Sequence, residues 1–223
     1  DSRWRWGAAG ASLLLAVALA TTFTRSSWIG AFVGLVVILG AVWPWGLAVL
    51  AVAGVSTWTF ARGEWGDRLH SIVQPHQGYN GERVLMWEAG LRMFRSDWLT
   101  GVGLQDLHEA YARFRSPAAK EEVGHLHNTY VQIAATMGVT GLVAFAWLCG
   151  ALLRTASAGI AWGRQVSARL RAEGEGAGLR LGVTAALAGF LVAGIFEWNF
   201  GDEELLYHLY ILVGMAWASR DWS

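Results

Sequence analysis

Six long apolar runs dominate the sequence and decide its class of fold. They are Gly7–Phe23, Trp28–Trp43, Trp45–Ala61, Thr129–Leu153, Leu181–Trp198 and Leu205–Ala218. A bilayer core of about 30 Å needs roughly 20 apolar residues in a helix, and shorter helices cross by tilting or by pairing with a neighbour. A soluble chain that is 54% hydrophobic would have to bury six helices with almost no polar face. The sequence therefore predicts an all-α, polytopic membrane helix bundle.

The runs divide the chain into three parts. Residues 1–61 are predicted to form three membrane helices, residues 62–126 an extracytoplasmic loop, and residues 127–223 three further membrane helices with a linker at 154–180. The linker carries five arginines against two glutamates, and the ends of the chain add Arg3, Arg5 and Arg220. Positively charged connections stay in the cytoplasm. The linker is therefore expected inside the cell and the loop outside it.

The loop is predicted to contain short amphipathic helices. One stripe of apolar residues after Asn80 has helical spacing: Val84, Trp87, Leu91 and Phe94. Such a helix would lie on the membrane or against the bundle. Gln105–Arg115 is expected to form a second helix, after a turn at Gly101-Val102-Gly103. In the following apolar run, Gly138 and Gly141 are expected to bend or pinch the helix.

Candidate functional residues gather where this loop meets the membrane. His125 and His127 immediately precede the run that begins at Thr129. Histidine exchanges a proton near neutral pH, and arginine binds phosphate oxygens with two parallel N–H groups. Arg83 in the loop and Arg25 at the outer end of an apolar run supply such groups. Together these residues suit chemistry on a lipid-linked substrate: holding a diphosphate and deprotonating a hydroxyl.

Structural roles for the same residues are open at this point. Arg25 would also serve as an anchor among lipid headgroups, and Arg83 as a partner of a loop acid such as Glu82. His127 would also suit the start of a helix with its ring hydrogen bonds satisfied. A metal site at His125 and His127 is disfavoured because no third ligand with suitable spacing is evident. No metal or cofactor is expected, and Cys149, the only cysteine, allows no disulfide.

A second polar stretch lies near the carboxyl end of the chain. Glu197-Trp198-Asn199 and Asp202-Glu203-Glu204 lie where the fifth apolar run ends and before the sixth begins. They are predicted to form a solvated connection at the outer end of the last hairpin, where they could also line an acceptor site.

An ordered set of motifs resembles the O-antigen ligase and Wzy-type polymerase superfamily. The set is Thr24-Arg25-Ser26-Ser27, Arg83-x-x-x-Trp87, Gly101-Val102-Gly103, His127-Asn128-x-Tyr130 and Gly138-Val139-x-Gly141-Leu142. It resembles the carboxyl-terminal half of the family, and members usually have more membrane helices. Because the chain also begins at Asp1 without a methionine, we expect it to be a portion of a longer protein.

The resemblance implies a function and a site. It implies transfer of a glycan from an undecaprenyl-diphosphate carrier to an acceptor glycolipid, glycan or protein, at the outer face of the bacterial inner membrane and without a metal. Carried over by motif, the catalytic residues are His127, Arg83 and Arg25, and both arginines also bind substrate. Trp87, His125 and Tyr130 are further candidates for substrate binding, although aromatic residues in such places more often pack. Membrane lipids are expected as partners and nucleic acids are not.

Other functions are compatible with a polytopic bundle. A polysaccharide polymerase or a protein O-oligosaccharyltransferase would use the same residues as a ligase. A transporter would carry charged residues at mid-bilayer depth, and Thr129–Leu153 and Leu181–Phe196 contain none. A purely structural assembly subunit would leave the outward arginine and the boundary histidine unexplained.

Overall fold

The computed structural model describes residues 2–73, 79–103, 107–121, 123–160 and 175–219. These residues form nine α-helices and no strand, which confirms the predicted all-α fold. The helices are α1 Ser2–Thr21, α2 Arg25–Val42, α3 Gly46–Phe60, α4 Gly63–His70, α5 Tyr79–Ser96, α6 Leu107–Phe114, α7 Thr129–Ala156, α8 Glu175–Ala193 and α9 Glu203–Ala218. Short 3₁₀ turns follow α4 at Ser71–Val73 and precede α9 at Asn199–Gly201.

Three of the helices are long and apolar enough to cross a membrane. They are α2, the 28-residue α7, and α8 over Gly176–Ala193. The apolar parts of α1 and α3, Trp6–Thr21 and Gly46–Phe60, are shorter. Their apolar side chains point outward all the same: Leu14 is 70% exposed and Val52 is 67% exposed. Such a surface suits contact with lipid. That all six apolar runs cross the membrane remains a prediction. Residues 161–174 of the predicted linker lie outside the described residues.

Close contact between α2 and α8 forms the centre of the bundle. A Cβ atom built on Gly30 would lie 2.9 Å from the carbonyl oxygen of Gly189, and one on Gly34 would lie 3.3 Å from that of Ala185. Small residues let membrane helices approach until their backbones touch. Beside this contact, a second core joins the end of α7 to α8 and α9 through Ala156, Val183, Leu187, Leu209 and Val213.

The loop has a core of its own, built by α5, α6 and the start of α7. Met86, Ala89 and Met93 of α5 are buried against Leu126 and Ala135. This is not the stripe that the sequence predicted. Leu91, a member of that stripe, is 45% exposed, whereas Ala89 and the neighbouring glycine are buried. Ala89 and Gly90 lie between the two methionines on this face and allow α7 to come close.

The predicted second loop helix is present as α6. Its expected start at Gln105 lies outside the described residues, and α6 is described over Leu107–Phe114. Leu107, Ala110 and Tyr111 bury one face of it in the loop core. Because α6 and α5 share that core, the loop is a packed structure that can hold side chains of the membrane boundary in place.

A break in α7 at Gly138 confirms the predicted bend. Gly138 has φ 63° and ψ −157°, a conformation open almost only to glycine. In a continuous helix, Val139 N and Thr140 N would donate to the carbonyls of Ala135 and Thr136. The break frees these four groups in the middle of an apolar helix, where unpaired backbone groups are costly.

The Gly101-Val102-Gly103 turn replaces all four lost hydrogen bonds. Val102 N donates to Ala135 O at 2.9 Å and Gly103 N to Thr136 O at 3.0 Å. In return, Val139 N donates to Trp98 O at 2.9 Å and Thr140 N to Leu99 O at 3.3 Å. The two glycine motifs therefore interlock, and they fasten the loop to the helix that follows the histidine pair.

Candidate active site

His127 occupies a strained position at the start of α7. Its φ is +46°, in the left-handed region that few residues other than glycine adopt. The residues on either side are fixed. Leu126 is fully buried and its N–H donates to Gln132 Oε1 at 2.8 Å, while Asn128 Oδ1 accepts from Tyr130 N and Val131 N and so caps α7. Strained residues held by their surroundings cluster at functional sites.

Glu197 joins His127 to Arg83. Its Oε2 lies 3.0 Å from His127 Nδ1, and its Oε1 lies 2.5 Å from Arg83 Nη2. Arg83 Nη1 donates to Phe196 O at 2.6 Å. Arg83 thus pairs with an acid outside the loop, 114 residues further along the chain. The three side chains form one hydrogen-bonded group at the boundary between the loop and the bundle.

His127 and Arg83 determine the protonation state of Glu197, the third member of this group. Burial alone would raise the pKa of Glu197, but its hydrogen bond with His127 and the charge and hydrogen bond of Arg83 outweigh burial and lower that pKa. Glu197 is therefore ionised at neutral pH and serves only as an acceptor. Its negative charge balances one guanidinium.

Arg25 and Arg83 line the same cavity. The cavity has a volume of about 130 Å³ and lies between the start of α2 and the start of α5. Arg25 Nη1 donates to Ser71 Oγ at 3.0 Å and to Ser71 O at 3.3 Å. Within the described parts of the chain, no carboxylate forms an ion pair with Arg25. It is also the first residue of α2, where the helix dipole disfavours a cation. An uncompensated positive charge faces this cavity, as an anion site requires.

Arg83 and His127 also lie close to each other. Arg83 Nη2 is 3.5 Å from His127 Nδ1. The two groups meet because Glu197 draws both of them to one carboxylate.

His125 stands directly beside His127. The ring centroids are 4.1 Å apart and the planes are inclined at 61°. Burial, together with the neighbouring His127 and Arg83, lowers the pKa of His125, so it is neutral at neutral pH. Its Nδ1 is buried and has no hydrogen-bond partner among the described residues. The same residues contain no cluster of three His, Cys, Asp or Glu side chains that could hold a metal ion.

The two aromatic candidates are placed differently. Trp87 lines the cavity of the two arginines, and its buried indole N–H has no partner in the described chain. The hydroxyl of Tyr130 donates to Leu191 O at 2.7 Å, and its ring packs edge to face on Phe145. Trp87 is thus at the site, whereas Tyr130 ties α7 to α8.

A larger groove opens on the other side of Glu197. Its volume is about 1090 Å³. Small residues of α2 and α8, including Gly34 and Ala185, form its apolar wall. Its polar end is lined by His125, Glu197, Asn199 and the acids Asp202, Glu203 and Glu204. The groove leads from the candidate site along two of the three long apolar helices.

The sequence did not indicate that Glu197 belongs to the candidate site. It was expected in a solvated connection that could also line an acceptor site, and it pairs with two of the three predicted catalytic residues, Arg83 and His127. Its backbone is fixed as well, because Glu197 O accepts from Thr129 N at 3.1 Å and from Thr129 Oγ1 at 3.0 Å. The sequence contains only a weak indication of this position: Glu197 is a single acid that follows the apolar residues up to Phe196 and precedes Trp198.

Comparison with known proteins identifies a related family. The family model for O-antigen ligase (Wzy_C) matches residues 10–146. The matched span contains Arg25, Arg83 and His127 and ends before Glu197. No curated protein gave a match.

Proposed function

Because the chain belongs to the O-antigen ligase family, a family of membrane ligases and polymerases that transfer glycans, we propose that it moves a glycan from an undecaprenyl-diphosphate carrier to an acceptor hydroxyl. The observation that carries the proposal is the meeting of three separated residues. Arg25 and Arg83 share one cavity, and Arg83 and His127 share one carboxylate.

The reaction is a direct displacement. The acceptor oxygen attacks the anomeric carbon of the donor glycan, and the bond from that carbon to the diphosphate oxygen breaks. The leaving diphosphate takes the electron pair. The hydroxyl proton passes to His127, which acts as the general base and later releases the proton to water. Every charge that forms is met by a side chain at the site.

The two arginines stabilise the leaving group. Negative charge builds on the diphosphate as the glycosidic bond breaks, and fixed donors aimed at such charge usually give the largest catalytic term. Arg25 has no acidic partner in the described chain and offers its charge directly. Arg83 has a planar fork that suits phosphate oxygens. Neutral His125 and Trp87 complete the surroundings of the substrate.

The groove between α2 and α8 would take the polyprenyl chain. Its apolar wall starts beside Glu197 and follows the helices. A lipid in this groove would keep its diphosphate at the membrane boundary, within reach of the arginines. Ligases, polymerases and protein-directed transferases share this donor step and differ in the acceptor.

The proposal places the site on the outer face of the inner membrane. Cysteines introduced for Glu109, exposed on α6, and for Gly174, in the predicted cytoplasmic linker, test this in a Cys149→Ala background. An impermeant maleimide added to intact cells is expected to label position 109 alone, and both positions after permeabilisation. Labelling of position 174 alone in intact cells would reverse the topology and overturn the assignment of an outward site.

Arg83→Lys tests the donor site. An ammonium keeps the charge but cannot bind two phosphate oxygens side by side. Since a hydrogen bond to a charged group contributes about 1.5–3 kcal/mol, we expect at least a tenfold rise in the donor concentration that gives half-maximal transfer. Arg95→Lys, exposed at the end of the same helix, is the matched control. The measurement is transfer of a labelled glycan from lipid-linked donor in membranes.

A chelator separates this mechanism from a metal-dependent one. Transfer by the wild-type protein is expected to be the same with and without EDTA, because no step uses a metal ion. Loss of transfer that returns when a divalent metal is added would instead favour a metal at His125 and His127.

For the Arg83→Lys variant, the contradicting result is a donor concentration for half-maximal transfer equal to that of wild type. Arg83 would then not belong to the donor site.

A further inference from the structure

We propose that Glu197 is a positioning residue for the transfer reaction: it holds His127 in the tautomer that can act as a base. The inference rests on the proposed function of His127. It adds a residue beyond the span that the family model matches and assigns a role to each oxygen of its carboxylate.

The hydrogen bonds decide which nitrogen of His127 carries the proton. Glu197 Oε2 lies 3.0 Å from Nδ1. A carboxylate only accepts, so Nδ1 must donate and Nε2 must carry the lone pair. Arg83 Nη2, a donor, would favour the opposite tautomer, but it is 3.5 Å from the same Nδ1, and the shorter contact with the ionised carboxylate prevails. The nitrogen left to take a proton from the acceptor is Nε2.

The fold holds Glu197 where this bond requires it. Its backbone carbonyl accepts two hydrogen bonds from Thr129, which lies two residues after His127. The carbonyl of the preceding residue, Phe196, accepts from Arg83 at 2.6 Å. A short segment between α8 and α9 is therefore fastened to both sides of the site. A carboxylate fixed in this way orients an imidazole and stabilises the imidazolium that forms during the reaction, as in the serine protease triad.

The second carboxylate oxygen makes the role of Glu197 testable. Oε1 lies 2.5 Å from Arg83 Nη2, so Arg83 would keep the amide oxygen of a glutamine at position 197. The amide NH₂ group would then face His127 Nδ1 and donate to it. Glu197→Gln should therefore enforce the opposite tautomer, with the proton on Nε2 and no base at the reacting position.

The contacts of Glu197 with His127 and Arg83 also predict how its variants change turnover and donor binding. We expect Glu197→Gln to lower turnover by about 100-fold or more, because an enforced wrong tautomer costs about 10⁴-fold in the serine protease triad. The donor concentration for half-maximal transfer should not rise, since Arg83 loses a competing negative charge. Glu197→Asp keeps the acceptor and should retain more turnover than Glu197→Gln. Glu88→Gln, an exposed acid on α5, is the control and should behave as wild type.

A spectroscopic measurement tests the tautomer without any assay of transfer. The chain has six histidines, so ¹⁵N-histidine labelling gives a tractable spectrum in detergent, and His127→Asn identifies the signals of His127. Above pH 8, we expect the wild-type ring to be protonated at Nδ1 and the Glu197→Gln ring at Nε2. A wild-type ring protonated at Nε2, or unchanged turnover in Glu197→Gln, would overturn the proposal.

These measurements distinguish the positioning role of Glu197 from the proposed function of the protein. If wild type transfers glycan and Glu197→Gln transfers equally well, positioning by Glu197 is wrong and the proposed function stands. If wild type shows the Nδ1–H tautomer but transfers no glycan from a lipid-linked donor, the hydrogen bond is real and the proposed function is wrong.

Discussion

Replacement of His127 is expected to stop glycan transfer while the protein stays folded. A general base contributes about 10²–10⁴-fold to the rate, so His127→Ala should lose turnover by that factor. The loss should fall on turnover more than on donor binding, because the arginines remain. The imidazole lies at the boundary and outside the loop core, so its removal leaves the packing of α5, α6 and α7 intact.

The left-handed backbone at position 127 calls for a second substitution. Asparagine tolerates positive φ better than alanine does, so His127→Asn removes the base with less strain. Both variants should give the same loss in a transfer assay at matched expression. His108→Ala, which changes an exposed histidine on α6, should retain full activity. Near-normal transfer by His127→Asn would exclude His127 as the base.

Substitution of Gly138 by alanine is expected to unfold the junction between the loop and α7. A Cβ atom at Gly138 would lie 2.7 Å from Gly101 N and closer still to Leu99 O. The non-glycine residue would also bear about 1–3 kcal/mol of backbone strain, and the four exchanged backbone hydrogen bonds would be pushed apart. We expect a total loss of more than about 4 kcal/mol, among the largest effects of single substitutions. The measurement is the thermal stability of the detergent-solubilised protein by size-exclusion chromatography.

Two further glycine variants give this prediction its controls. Gly101→Ala should have a similar effect, because its Cβ atom would lie 2.5 Å from Met137 N on the other side of the same contact. Gly150→Ala lies in the same helix with open space around it, and should be neutral or stabilising by up to about 1 kcal/mol. Equal stability of Gly138→Ala and Gly150→Ala would show that the interlock does not hold the loop.

The helices were predictable because their signals are local. Run length and composition placed every long apolar segment within about six residues of its observed bounds, and the glycines near position 138 indicated a bend. The hydrogen-bond exchange between that bend and the turn at 101–103 was not predictable. It joins backbones more than 30 residues apart, and only the folded chain shows which carbonyls have lost their partners.

The candidate site was predictable in part for a related reason. Arg25 and His127 stand out because a charge or an imidazole at the end of an apolar run is unusual, and Arg83 stands out through its motif with Trp87. Glu197 does not, because an acid between two apolar helices also fits a solvated turn. The packing face of α5 was misplaced because Ala89 and Gly90, which lie between Met86 and Met93 on that face, carry little hydrophobic signal. Their importance lies in the space that they leave for α7.

Two glycines without chemical function determine how far apart the reactive groups stand. Hydrogen atoms at Gly30 and Gly189 let the backbones of α2 and α8 touch. Arg25 begins one of these helices, and Glu197 follows the end of the other. A methyl group at the contact would displace one helix from the other, and a misplacement of about 1 Å can cost a hundredfold in rate. Under the proposed function, the spacing of the reactive groups is therefore fixed by a contact between two helices that lies away from the reacting atoms.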